Sequence, residues 1–424
     1  MTAATTTEFV TCLGCGCLCD DITVVVRDNR ISETINTCGL GQRWFGDGVV
    51  PTAARVDGTD RTREAALDVA AEILATGESV LVYLAPELST AAAGEAIGIA
   101  DRLRARLDGV ASDTVAEGIL AAQRRGRAGA TLGEILNRGD LVVFWGVDPS
   151  DRYPRYASRY AVEPKGVSTP EGRKSRTVVA VDIGNRRGPA DADTRLALGA
   201  DGEVGALAVM RAVFLGQSAD AFGVGAKATA ELAERMRQAR YVVVVNDGEP
   251  APASGDSAAT EGLIALVQAL NGSTRAALST LRAGGNRSGL EAITTWQTGF
   301  PFAVDFQRGY PRYRPEEHAG QLLAAGRIRT VLLAGAPAAL PPAVAAGLGN
   351  AVVVAVGPRA SQAPFSTRVA VDTAMAGIHE GGTAVRLDDV PLPLRPVLSG
   401  PPAAREVLRA LDDRLKSRRN GGQR

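Results

Sequence analysis

Five cysteines, Cys12, Cys15, Cys17, Cys19 and Cys38, fall within the first tenth of a 424-residue chain. Thiols used only for packing could lie anywhere, so this clustering implies ligation. Leaving out Cys17, the remaining four read C-x2-C-x3-C-x18-C: three closely spaced thiolates on a tight loop and a fourth returning from a distance. That arrangement suits a 4Fe-4S cluster, because thiolates bind the soft iron atoms and Gly14, Gly16 and Gly39 let the backbone fold closely around it. Four-cysteine zinc is the nearest rival, but zinc usually takes two C-x2-C knuckles and Cys38 has no close partner. Unligated thiols are the bland alternative. Cys17 alternates with the ligands and is assigned no role. His318 and His379 are the only histidines, which excludes a histidine-rich metal site.

The cysteines need elements to gather them. Asp21 to Arg27 alternates and is β-branched, Asp28-Asn29 reads as a turn, and a second strand starts at Ile31. Such a hairpin would bring Cys38 back to the other thiols. After Asp57, alanine-rich helices alternate with short apolar runs, the pattern of parallel sheets covered by helices. Arg61 to Thr76 carries Ala66, Val69, Ala70 and Ile73 at helical spacing, and Val80 to Leu84 follows as a strand. Further strands are expected at Leu141 to Trp145, Thr177 to Val181, Tyr241 to Val245, Thr330 to Leu333 and Ala351 to Val356. Several end in turn chemistry, at WGVDP, VDIGN, VNDG, LAGAP and VGPRA, and the carboxyl ends of parallel strands are where open sheets bind ligands. None carries a G-x-G-x-x-G fingerprint, so plain strand punctuation also explains them. Gly248 to Ser257 and Lys165 to Gly172 read as surface loops, and Arg414 to Arg424 as a frayed, solvated end.

Length predicts two or three domains at about 150 residues each. The 47 basic and 47 acidic side chains cancel, so no overall field attracts nucleic acid or an anionic membrane. Apolar runs fall far short of the roughly 20 residues that span a bilayer. Met1 to Glu8 has neither the basic region nor the apolar core of a signal peptide, so a cytoplasmic location is expected, and disulfides are not.

Four blocks carry a resemblance along nearly the whole chain: TCLGCGCLCDDI (Thr11 to Ile22), LGEILNRGDLVVFWGVDPSDRYPRYASRY (Leu132 to Tyr160), TTWQTGFPFAVDFQRGYPRY (Thr294 to Tyr313) and GTAVRLDDVPLPLRP (Gly382 to Pro396). They resemble the B subunit of formylmethanofuran dehydrogenase, a relative of the molybdenum and tungsten pterin formate dehydrogenases. The resemblance implies a small N-terminal cysteine-rich cluster domain followed by two interleaved parallel-sheet, Rossmann-like α/β domains of the molybdopterin oxidoreductase type. The expected boundaries are a cap at 1–56, a discontinuous α/β domain at 57–135 plus 315–400, an inserted α/β domain at 136–314, and a C-terminal helix and basic tail at 401–424.

The family's metal ligand is a cysteine followed by histidine in a segment resembling V-C-H-G, and here that segment reads Val115, Ala116, Glu117, Gly118. Alanine cannot bond tungsten or molybdenum, and the histidine has become an acid. No cysteine beyond residue 38 can substitute. By the resemblance, Arg282 falls where the family has an active-site arginine, while Gly146, Asp148, Pro149 and Asp182 fall where it binds a pterin dinucleotide. The family's proline and arginine after that last strand are replaced by Ile183 and Gly184, so a molybdopterin or tungstopterin dinucleotide is expected to be absent.

This pattern of loss is similar to the variant form in the bacterial formyltransferase/hydrolase complex of tetrahydromethanopterin-linked one-carbon metabolism. That form implies a scaffold with A, C and D partners, a methanofuran-type carrier, and a 4Fe-4S cluster on Cys12, Cys15, Cys19 and Cys38 that is kept as a staple. The alternatives are an active dehydrogenase whose metal takes an oxygen ligand from Glu117, and a zinc scaffold with no redox chemistry. The aromatic stretch Phe300 to Tyr313 suits an interface, a substrate-lined passage, or burial at a domain junction.

Overall fold

The computed structural model describes residues 4–249 and 257–421. Two compact units divide the chain: Met1–Thr114 with Gly284–Arg424, and the intervening Val115–Ala283.

The first unit opens with a three-stranded antiparallel sheet, β1 (Thr5–Val10), β2 (Ile22–Arg27) and β3 (Arg30–Ile35). Asp28 and Asn29 both have positive φ, +50° and +55°, the pair of left-handed residues that a tight hairpin matched to strand twist requires. Helix α1 (Gly39–Phe45) follows, then the short strands β4 (Ala54–Val56) and β5 (Thr59–Asp60). Next come α2 (Arg63–Thr76), β6 (Val80–Leu84), α3 (Thr90–Leu103), β7 (Arg106–Gly109) and α4 (Val110–Thr114). Thr62 and Ser89 start α2 and α3 by accepting the N–H of Ala65 and Ala92 on their hydroxyls.

The second unit runs α5 (Ala116–Arg125), α6 (Leu132–Arg138), β8 (Leu141–Trp145), β9 (Thr177–Ile183), β10 (Thr194–Leu198), α7 (Glu203–Phe214), α8 (Lys227–Gln238), β11 (Tyr241–Asp247), α9 (Ser257–Leu270) and β12 (Arg275–Leu281). Its five strands form one wholly parallel sheet in the order β10-β9-β8-β11-β12. The chain then completes the first unit with α10 (Arg287–Thr298), β13 (Val304–Asp305), β14 (Arg312–Tyr313), α11 (Ala319–Ala324), β15 (Thr330–Ala334), α12 (Pro342–Gly347), β16 (Val352–Gly357), β17 (Val369–Asp372), β18 (Gly382–Val385), β19 (Pro391–Leu394) and α13 (Ala404–Gly421).

The nine-stranded sheet of the first unit is ordered β14-β13-β7-β6-β15-β16-β17-β4-β5, parallel from β7 to β17 with antiparallel edges. Its central strands are apolar on both faces. In β6, Val80, Val82 and Leu84 enter one core cluster, while Leu81 and Tyr83 enter another on the opposite face. That double burial is why these strands read as unbroken apolar runs. In the second unit Leu141, Val143 and Trp145 face a separate core with Val179, Val242 and Leu207.

Every strand foreseen in the α/β region forms, with ends shifted by no more than two residues. The boundaries of the insertion differ from the expected 136–314. Helix α5 packs on α9 and places Ala121 in the core of the second unit, so that unit begins at Val115. Helix α10 packs on α3, and β13 pairs with β7, so 284–314 belongs to the first unit. The cap expected at 1–56 ends earlier, because β4 already pairs with β17 in the large sheet. The hairpin region is part of the first unit and does not stand apart from it.

The tail read as frayed from Arg414 is helix α13 through Gly421, held by Leu415 in the core and by Arg414 on Asp68; its last residues, 422–424, lie outside the described residues. Most of the loop read at Gly248 to Ser257 also lies outside them, at 250–256. Aromatic residues of the Phe300 block turn inward within the first unit. Phe302 and Phe306 are buried, and Phe300 stacks on Tyr313 at 5.1 Å between ring centroids.

Candidate functional site

The thiols are gathered by two loops. Between β1 and β2 the chain doubles back on hydrogen bonds from Cys12 N–H to Cys19 O (2.9 Å) and from Leu18 N–H to Cys15 O (3.1 Å). Cys38 sits just before α1, and its carbonyl accepts the N–H of Gln42. Gly41 in α1 lies against the first loop, where an added Cβ would come within 3.1 Å of Cys12 Sγ and 2.5 Å of Thr37 Cγ2. Gly14 similarly lies against the Leu40 backbone. Gly39, expected to allow close approach, stands in open surroundings, and Gly41 performs that part instead.

Cys12, Cys15, Cys17 and Cys19 are buried and Cys38 is partly exposed. Burial pushes the Cys12 thiol well up, the Gly14 N–H that it accepts at 3.3 Å opposes this, and the neighbouring Cys15, Cys19 and Cys38 push it further. Cys17 is raised by its hydrogen bond with Cys15 and then by burial. All five sulfurs therefore share one neighbourhood. Among the described residues no group of three or more His, Cys, Asp or Glu side chains stands in metal-holding geometry.

Ala116 and Glu117 form the first turn of α5 in the second unit. Ala116 is partly exposed and Glu117 is exposed. Neither presents a sulfur or an imidazole.

The carboxyl ends of the second unit's strands hold the other residues singled out in the sequence. Gly146 follows β8 with φ +62°, where a Cβ would press on Ile183. Asp148 is exposed and accepts the N–H of Ser150, and the Pro149 carbonyl accepts the N–H of Tyr153. These contacts shape the turn. Asp182 is buried, and its carboxylate is taken up by Arg195 (2.6 and 2.8 Å), the Gly188 N–H (2.9 Å) and, further off, Arg187. Burial works to raise the Asp182 pKa, but the Gly188 N–H and the two arginines prevail and hold it below the usual carboxylate range. Arg282 is buried on Glu249, with Nε 3.1 Å from Oε1, and the same oxygen accepts the Ala283 N–H.

The arginines and acids that complete these ends were not legible as site residues. Asp247, at the end of β11, accepts the Tyr153 hydroxyl at 2.9 Å and pairs with Arg152. Glu203, at the start of α7, accepts the Trp145 indole N–H at 2.8 Å and pairs with Arg186. Arginines following strand-end turns, as in DPSDRY and NRRGP, are the one signal that could have flagged them. Arrayed along one sheet edge, these pairs neutralise one another. As arranged, they brace loops.

Fold and site thus define an α/β protein of two parallel-sheet units, with a thiol-bearing antiparallel sheet at its start. No family model matches the chain. It is 31% identical over 425 residues to the B subunit of tungsten-containing formylmethanofuran dehydrogenase 2 from Methanocaldococcus jannaschii, covering 96% of this chain and 98% of that one. It is 29% identical over 297 residues to the B subunit of the formyltransferase/hydrolase complex Fhc from Methylorubrum extorquens, covering 68% and 76%. A chain in the crystal structure of the formyltransferase/hydrolase complex FhcABCD from Methylorubrum extorquens, determined with methylofuran, superposes with a TM-score of 0.71 at 26% identity, over 86% of this chain and 99% of that one. The chain belongs to the family of formylmethanofuran dehydrogenase B subunits.

Proposed function

We propose that this chain is the B subunit of a formyltransferase/hydrolase complex in tetrahydromethanopterin-linked one-carbon metabolism, a scaffold without a molybdenum or tungsten site of its own. The observation that carries the reading is Ala116 with Glu117 in the first turn of α5, where the family's ligand would be a sulfur next to an imidazole. The acids around the strand ends support it, since Asp182, Asp247 and Glu249, and Glu203 at the start of α7, each pair with an arginine of the same unit. Residues that close on one another in this way do not fit a pterin dinucleotide, and no chemical step is assigned to one.

Transfer and hydrolysis of the formyl group then belong to the A, C and D partners, and the carrier is of the methanofuran type. A cytoplasmic location accords with this role. Among the described residues no helix is long and apolar enough to cross a membrane.

The thiol site, by contrast, fits a cluster in its donor chemistry. Cys12, Cys15, Cys19 and Cys38 would hold it, Gly41 leaves room beside Cys12 Sγ, and the Gly14 N–H is already directed at that sulfur. Because burial makes the Cys12 thiol hold its proton, loading a metal there would release it, and the metal-binding free energy would be added to folding. A bound 4Fe-4S cluster supplies electron transfer or, with no redox metal to serve, a cross-link between the β1–β2 loop and α1.

The second reading, an active molybdenum or tungsten dehydrogenase, is favoured by the tungsten-containing relative at 31% identity. Elemental and pterin analysis of the purified complex separates the two, with Cys15→Ser as the companion variant. The scaffold reading expects iron without molybdenum, tungsten or pterin, and iron lost together with partner subunits in Cys15→Ser. Stoichiometric tungsten or molybdenum with pterin would overturn it, and zinc in place of iron would replace the cluster but not the scaffold.

A further inference from the structure

A second cluster of ionisable groups lies entirely within the first unit. Strand β7 ends at Gly109, and α4 follows it directly as the last element before the chain leaves this unit at Val115. Two aspartates of this corner face the start of α11. Asp108 is buried, and its carboxylate accepts the N–H groups of Ala319 (2.6 Å), Gly109 (2.9 Å) and Ala303 (3.1 Å) and the Ser112 hydroxyl (2.8 Å). Asp113 meets His318 Nδ1 at 3.0 Å and accepts the Gly320 N–H at 3.2 Å and, more weakly, the Tyr83 hydroxyl at 3.4 Å. The fit is close: a Cβ on Gly320 would stand 2.6 Å from Asp113 Oδ1.

Of these contacts only the His318–Asp113 one can gain or lose a charge near neutral pH at a partly exposed side chain. The imidazole retains 27% exposure while the Asp113 side chain retains 4%, so protons can reach one partner and the other is held in low dielectric. We propose that Asp113 and His318 form a pH-dependent clamp that holds the β7–α4 corner against the first turn of α11 and slackens as the imidazole loses its proton.

The surroundings set the direction. Facing the pair are Tyr83 from β6, Asp108 and Ser112 from the corner itself, and Arg287 from α10, which acts on Tyr83. The hydrogen bond to Asp113 is the largest influence on His318; burial opposes it, the charges of Asp113 and Asp108 reinforce it, and the net direction is upward from the ordinary histidine value. Asp108 is raised to about 6 by burial and by Asp113, against the bonds from Ser112, Gly109 and Ala319. For both groups a raised folded pKa means stabilisation that is complete below the unfolded value and lost as pH rises through the folded one. The two therefore act together: the corner is tightest on the acid side and loosens above pH 6 as first Asp108 and then His318 give up protons. His379, the other histidine, is displaced the opposite way by burial, so the two imidazoles titrate apart.

The test uses the full chain. Imidazole NMR resonances, assigned with His318→Gln and His379→Gln, should show His318 titrating above His379. Hydrogen exchange, corrected for intrinsic rates, should then rise as pH increases from about 6 through the His318 titration in peptides covering 108–115 and 317–324, by on the order of tenfold for each pKa unit separating His318 from a free imidazole. In His318→Gln and in Asp113→Asn the part of that rise that follows the imidazole titration should be lost, leaving only the Asp108 step near pH 6, while His379→Gln keeps both. If either first variant fails to fold, the wild-type titration and exchange profile still decide the matter. A His318 that titrates at or below His379, or wild-type exchange at the corner that does not change with pH, overturns the clamp.

Discussion

Replacing Arg282 by leucine tests whether the guanidinium–carboxylate pairs are internal braces or the remains of a ligand site. Arg282 and Glu249 retain only 10% and 6% side-chain exposure, and Arg282 Nε lies 3.1 Å from Glu249 Oε1. Leucine preserves much of the buried aliphatic stem but takes the Arg282 guanidinium away from the Glu249 carboxylate. Removing one partner of a buried pair costs about 3–5 kcal/mol, most of it the penalty of an uncompensated charge. Glu249 keeps the Ala283 N–H, which places the expected loss near the lower end, about 3 kcal/mol. For a unit of this size each kcal/mol moves the melting temperature by roughly 2–4 °C, so Arg282→Leu should lower the transition of Val115–Ala283 by about 6–12 °C.

Differential scanning calorimetry of the full chain reads this directly. The double variant Arg282→Leu with Glu249→Leu should regain much of the loss, because no buried charge is stranded. If Arg282→Leu melts within about 2 °C of wild type, the pair contributes nothing appreciable and the bracing argument fails. An Arg282→Leu protein of unchanged stability that binds an anionic carrier more weakly would assign the arginine to a ligand instead.

Two further outcomes follow from particular side chains. Because Asp182 is held below the usual carboxylate range, its bonds with Gly188 and Arg195 stabilise the fold above the unfolded aspartate value and are lost as pH falls through the folded one. Asp182→Asn should therefore lower the urea midpoint at neutral pH and flatten its decline as pH falls through the aspartate range, whereas a parallel decline in wild type and variant would remove Asp182 from the acid response. Asn29 combines a φ of +55° with hydrogen bonds to both the N–H and the carbonyl of Ser399. Asn29→Ala should cost about 2 kcal/mol in urea titration and Asn29→Gly about half of that, since glycine restores the turn but not the bonds; equal losses would mean the turn geometry is immaterial.

The parallel strands were legible because burial on both faces demands unbroken β-branched runs, and those runs have no helical period to compete with them. The β2–β3 hairpin was legible for a different reason, since Asp28-Asn29 is among the few pairs that tolerate two positive φ angles. The gathering of the thiols followed from their spacing, although Gly41 rather than Gly39 makes the space. Strand β1 lay hidden within a threonine-rich start that reads as a polar terminus, because only its last residue, Val10, is buried.

Composition and spacing alone determined that this chain builds helix-covered parallel sheets and that its cysteine sulfur lies wholly at the N-terminal end. Those properties are local: each is set by residue type at short range. Tertiary structure alone decided which arginine neutralises which strand-end acid, where the inserted unit begins and ends, and that Asp113 meets a histidine 205 positions away. Such pairings depend on which loops the sheet order brings side by side, and a charge has no preferred partner until the backbone has placed one within reach.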